Sequence, residues 1–163
     1  PSAGGVVLAG SEIHVLELTK QTEMCGAMVV ADRYCFGSFP GRERIEIAEG
    51  ETAFDAICRH YQHWNQCARF MSGDKIDQRH TEVKRLVDEF GADGVIYESM
   101  KFCEFWSYEK VLASHVLTNE MGVPCCTIEK EYALGSVGQL RTRFQAFVES
   151  LEIKKLQAKE ASR

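Results

Sequence analysis

The chain has 163 residues, with 19 Lys+Arg against 24 Asp+Glu for a net charge of −5. That balance excludes a general electrostatic grip on nucleic acid, which needs a basic surplus; 45% hydrophobic and 26% charged residues exclude a disordered chain. No apolar run approaches the roughly 20 residues of a membrane helix, and the length suits one domain with a sizeable core.

In chain order, Val6–Ala9 is a short apolar run closed by Gly10-Ser11, the pattern of a buried strand entering a turn. A helix is predicted from about Ser11 to Met24, stopped at Gly26. Ala27–Ala31 reads as a second buried strand, ending in Asp32-Arg33-Tyr34-Cys35. Continuous apolar strands alternating with helices point to a parallel sheet covered on both faces. Residues 36–50, with Gly37, Pro40, Gly41 and Gly50, read as a long loop of the kind that often carries function. From Glu51 to Met71 the residues Phe54, Ile57, Cys58, Tyr61, Trp64, Ala68 and Met71 recur at helical spacing, and Asp77–Phe90 repeats the pattern with Val83, Leu86, Val87 and Phe90. Gly91–Gly94 turns into a third strand, Val95–Tyr97. A helix from about Phe105 to Met121 follows, ended by Gly122 and Pro124. Val123–Ile128 is the fourth strand. Ser136 and Gln139 have capping-box spacing and open a last helix with Leu140, Phe144, Phe147, Val148 and Leu151 on one face.

The order β-α-β-α-α-β-α-β-α predicts a doubly wound α/β domain, Rossmann- or flavodoxin-like, with a four-stranded parallel sheet in the order 2-1-3-4. Residues 1–152 read as one α/β domain of a larger subunit and 153–163 as a charged, fraying, solvated tail. The start at Pro1, with a strand close behind and no basic segment leading into an apolar stretch, reads as a piece of a longer polypeptide without a secretory signal.

In such a sheet the ligand crevice lies beyond the carboxyl ends of the strands where the winding reverses, here between strands one and three. This brings Gly10, Ser11 and Glu12 opposite Ser99–Cys103. Seven cysteines without CxxC or zinc-type spacing argue for a reduced, cytoplasmic protein rather than a disulfide framework. Cysteine is most often a small core hydrophobe, and Cys125 and Cys126, adjacent in a strand, are expected to pack on opposite faces of the sheet. Cys58 and Cys67, nine apart on the expected helix, point to opposite sides of it. Cys103 stands apart: it precedes a helix, where first-turn N–H groups and the helix dipole favour thiolate, the metal-binding form. Cys35 points to the same rim. His60 and His63 have metal-compatible spacing but no further ligand beside them, and His14, His80 and His115 read as isolated surface or half-buried residues. Gly135–Gln139 could cradle an anion or simply cap a helix. Arg33, Arg42, Arg44 and Lys101 could meet an acidic ligand such as a coenzyme A phosphate, solvated surface being the ordinary fate of such side chains.

Lys101-Phe102-Cys103-Glu104 after Gly94–Tyr97, then Ile128–Tyr132, then Gly135-Ser-Val-Gly-Gln-Leu-Arg-Thr-Arg143 running to Phe147, resemble the C-terminal domain of the benzoyl-CoA reductase/2-hydroxyacyl-CoA dehydratase family. The likeness runs from about Val6 to Leu151, and Val29–Ser38 with Phe39-Pro-Gly-Arg42 is closer to the benzoyl-CoA reductase branch. The resemblance implies an oxygen-sensitive oxidoreductase subunit in which three cysteines hold a [4Fe–4S] cluster. Cys103 matches the ligand in the K-F-C segment, and the other two would lie before Pro1. Cys35 matches a family cysteine that is not carried over as a ligand. The resemblance also implies an acyl-CoA substrate, a homologous partner subunit and a separate ATP-hydrolysing iron–sulfur activator. The chain itself has no Walker motif, so it would sit on the acceptor side. Two activities stay open: reduction of an aromatic acyl-CoA to a cyclic diene, the first expectation, and elimination of water from a 2-hydroxyacyl-CoA through a ketyl radical. A binding domain without metal is the third reading.

Overall fold

Apolar runs such as Val6–Ala9 and Gly94–Tyr97 have no polar alternation, so neither face of these strands tolerates water and both must be covered. The computed structural model describes residues 4–11, 16–34, 37–64, 67–70, 72–132 and 137–161. Its strands are β1 (Gly4–Gly10), β2 (Ala27–Arg33), β3 (Gly94–Met100) and β4 (Cys125–Lys130). Its helices are α1 (Glu17–Met24), α2 (Ala53–Trp64), α3 (Gly73–Glu89), α4 (Glu104–His115) and α5 (Val137–Ala161). All strand pairs are parallel and the order is β2-β1-β3-β4, the doubly wound arrangement expected from the sequence.

Alternate residues of the two central strands feed two cores. Val7, Ala9, Val95 and Tyr97 pack under α3 and α4 against Val83, Leu86, Trp106 and Ala113. Val6, Leu8 and Ile96 face the other way, against Leu18 of α1 and Leu140, Phe144, Val148 and Leu151 of α5. Each such Leu or Phe contributes about 1.5–3 kcal/mol through burial, which fixes the helices on both faces. Cys125 and Cys126 divide between the two cores as expected.

Four boundaries differ from expectation. The first helix begins at Glu17 rather than Ser11, because Ser11 is bonded across to β3: its N–H donates to the Glu98 carbonyl at 3.0 Å. The second stops at Trp64; Phe54, Ile57 and Tyr61 are exposed, and of α2 only Ala56 is buried. Spacing reports a helix but not what covers it. The fourth gives way after His115 to a π turn, Val116–Glu120, closed by Val123 N–H donating to Leu117 O at 2.7 Å. The charged tail is not frayed: α5 continues to Ala161, since residues 154–161 are mostly strong helix formers. It stays solvated apart from Lys155, which pairs with Asp93 at 2.7 Å. No helix among the described residues is long and apolar enough to cross a membrane.

Candidate functional site

The carboxyl ends of β1 and β3 meet with almost no space between them. Gly10 has φ +131°, and a Cβ there would lie 1.8 Å from the Glu98 carbonyl oxygen. Only glycine fits, on both conformation and space. Gly10→Ala is therefore expected to separate β1 from β3 and cost more than about 3 kcal/mol, read as a fall in the urea midpoint.

Immediately beyond, the Ser11 hydroxyl donates to the Glu98 carboxylate (3.0 and 3.1 Å to its two oxygens) and accepts the Met100 N–H at 2.7 Å. Glu98 is fully buried. Burial pushes its carboxyl up to about 7, against the lowering effects of the Lys130 charge, the Ser11 hydrogen bond and Lys110. Lys130 is also buried, and its Nζ has no hydrogen-bond partner among the described residues.

After β3 the chain makes a tight turn. Phe102 sits at φ +70°, a left-handed conformation uncommon for a bulky residue, and its ring is exposed. Cys103 N–H donates to Met100 O at 3.0 Å, and Cys103 O accepts Ser107 N–H at 3.0 Å, so Cys103 is the N-cap residue of α4. Its thiol is half-buried against the core under α3 and α4. Beside it lies a pocket of about 320 Å³ lined by Ser11, Cys67, Arg69, Met100, Cys103, Phe105 and Trp106.

Cys67 is the residue that sequence reasoning missed. Because α2 ends at Trp64, Cys67 is not on a helix with Cys58 but on a loop that brings it to the Cys103 pocket. That loop is held from below. Arg79 Nη1 donates to the carbonyls of Phe70 (3.0 Å) and Cys67 (3.4 Å), while Arg79 Nη2 pairs with Glu109 Oε2 at 2.7 Å. His80 Nε2 lies 3.1 Å from Glu109 Oε1, and all three side chains are buried. His80 is thus neither isolated nor solvated. The signal was present, since Arg79 and His80 precede Val83 by four and three, on the apolar face of α3.

The other candidates are spread out. Arg33 is buried with its guanidinium 4.8 Å from the Phe39 ring centre, and Arg42 donates to Asp32 O at 2.9 Å. Lys101 pairs with Glu131 at 2.7 Å, and Arg44 is exposed. His60 stacks on Trp64, and His63 and His115 are exposed. Cys25 ends α1 with its thiol 3.7 Å from Arg141 O, and Cys58 is exposed. Burial pushes the Cys125 thiol up to about 12 and raises Cys126 as well, so both behave as packing residues. Glu12, His14, Cys35, Met71, Gly135 and Ser136, and with them the capping box and much of the anion cradle, lie outside the described residues.

Residues 3–151 match the family model described as 2-hydroxyglutaryl-CoA dehydratase, D-component. The chain belongs to this dehydratase family. Among curated relatives of the dehydratase family, the beta subunit of lactoyl-CoA dehydratase from Anaerotignum propionicum is 30% identical over 115 residues, 66% of this chain and 28% of that protein. The Escherichia coli (strain K12) protein YjiM, provisionally named a dehydratase subunit, is 27% identical over 135 residues, 83% of this chain and 34% of that protein. The chain thus spans about a third of the length of these relatives. The dehydratase-family match takes in all four strands and the turn bearing Cys103.

Proposed function

We propose that this chain is the C-terminal α/β portion of a 2-hydroxyacyl-CoA dehydratase subunit, working in the cytoplasm, with Cys103 as one ligand of a [4Fe–4S] cluster. The observation that carries this reading is the Cys103 thiol at the pocket where β1 and β3 end, the crevice position of a doubly wound sheet. The donor set suits a shared cluster rather than a self-contained one. Among the described residues no group of three or more His, Cys, Asp or Glu converges on a metal position; on this reading Cys103 supplies one thiolate and the remaining ligands come from the rest of the subunit.

When bound, such a cluster supplies the low-potential electron that a thioester accepts and that no side chain can provide. The chain's own residues shape the space beside it. Phe105 and Trp106 give the pocket an apolar side, and the Arg69 guanidinium, 5.8 Å from the Phe105 ring centre, places positive charge at the pocket. Phe102, Phe105, Tyr108 and Val111 are exposed around the Cys103 turn and along α4, an apolar band suited to the rest of the subunit or to a homologous partner subunit. The electron would come from a separate ATP-hydrolysing iron–sulfur activator.

The relatives favour dehydration over the aromatic reduction first expected, since both are named as dehydratase subunits. The test is an anaerobic assay of the full-length subunit with its partner and activator, offered lactoyl-CoA and benzoyl-CoA in parallel. Loss of water from the first without reduction of the second is expected. Reduction of benzoyl-CoA alone would restore the reductase reading, and iron-free protein would refute the cluster.

A further inference from the structure

Glu98 has no direct route to the pocket, yet one neighbour does. Ser11 lines the pocket, and its hydroxyl touches both carboxylate oxygens of Glu98. We infer that Glu98 and Ser11 form a two-member proton relay opening beside Cys103, with Glu98 storing the proton and the Ser11 hydroxyl passing it to and from the bound acyl group.

The geometry supports transfer in both directions. With Glu98 ionised, Ser11 donates to it; with Glu98 protonated, Ser11 accepts from it and turns its own proton toward the pocket. The Met100 N–H, 2.7 Å from Ser11 Oγ, holds the oxygen in place in either state. A structural carboxylate on a central strand would have a cation or several N–H donors bonded to it. Among the described residues Glu98 instead has one hydroxyl bonded to it, and the Lys130 ammonium acts on it through space with no hydrogen bond between them.

Among the described residues, the charged and titratable groups bearing on Glu98 are Lys130 from β4, Lys110 from α4 and Tyr34 just past β2. From α1 and α5 this core receives the apolar Leu18, Leu140 and Phe144, and α1 also buries Gln21 and Thr22, neither of which carries a charge. Burial drives the carboxyl up and the two lysines pull it back, leaving it at about 7, where either protonation state is accessible.

What the relay would do rests on the dehydratase reading. The departing hydroxyl takes the Ser11 proton and leaves as water, while Ser11 takes the proton of Glu98, which becomes a carboxylate. The proton released from the β-carbon returns through Ser11 to Glu98. Protons balance over the cycle, and the relay neither gains nor loses an electron.

The test separates the relay from the reaction. Infrared difference spectra of the full-length protein between about pH 5 and about pH 9 should show a buried carboxylic-acid band titrating near 7 that is absent in Glu98→Gln. Ser11→Ala should keep the band and move its midpoint upward, since the Ser11 hydrogen bond lowers it. In turnover of lactoyl-CoA, both variants should lose the corresponding limb of the kcat–pH profile and fall on the order of 100-fold in kcat, with KM and iron content unchanged. A Glu98 that stays ionised throughout, or a Glu98→Gln enzyme that keeps the limb and the rate, overturns the relay. A wild-type protein that titrates as described but dehydrates no 2-hydroxyacyl-CoA refutes the proposed reaction and leaves the infrared result as support for the Ser11–Glu98 pair.

Discussion

Cys103→Ser in the full-length subunit should leave the fold intact and reduce both iron content and turnover, the latter by more than about 1,000-fold. The bound is argued from chemistry: removing a partner that merely orients a metal ligand costs roughly 10–100-fold, and a direct thiolate ligand must exceed that. The fold should survive because Cys103 is the N-cap of α4 through its backbone, with no capping hydrogen bond from its side chain. The turn is held by the Cys103 N–H to Met100 O and by Lys101 N–H to Lys130 O at 2.7 Å, neither of which needs sulfur. Iron and sulfide analysis under anaerobic conditions, with circular dichroism as the folding control, reads both halves. Full iron content in the variant would remove Cys103 from the ligand set.

Glu109→Gln is expected to be the most destabilising single change of a charge, by about 3–5 kcal/mol, because it leaves the Arg79 guanidinium buried without its counter-charge. Burial alone would raise the Glu109 carboxyl, but hydrogen bonds from His80 and Arg79, and their charges, hold it down at about 2. The sign of the pH dependence follows. A carboxylate near 4.3 when unfolded and about 2 when folded stabilises the protein above about pH 4.3, and that stability is lost as pH falls toward 2. Urea unfolding at several pH values should show this acid sensitivity in the wild type and its loss in Glu109→Gln. The effect should also reach the pocket: Arg79 is the tether of the 67–70 loop, so Cys67 should alkylate faster in the variant. Unchanged Cys67 reactivity would mean that the triad only stabilises the core.

Much of this was legible in the sequence because it depends on local pattern. An apolar run such as Val95–Tyr97, too short for a helix and lacking alternation, has few stable places other than a central parallel strand. Cys103 was legible because a strand-to-helix junction places it at the crevice whatever the details of packing. The resemblance carried by K-F-C and by the Gly135–Arg143 segment added the family, and the family match bears it out. Its finer preference for the reductase branch gained no support from the named relatives.

The sequence by itself determined the element order, the parallel sheet and the place of Cys103 at the crevice, since these follow from hydrophobic spacing and from the right-handed winding of β-α-β units. Only the tertiary structure decided which distant polar groups meet. Glu98 reads as the polar end of a strand until β3, flanked by β1 and β4, buries it beside Ser11, 87 positions away. Arg79, His80 and Glu109 read as ordinary helix polarity until α3 and α4 press the same face of the sheet and exclude water from all three. Spacing along the chain reports which face a side chain occupies. The chemistry of a buried charge depends on what stands opposite, and that is set when the helices pack on the sheet.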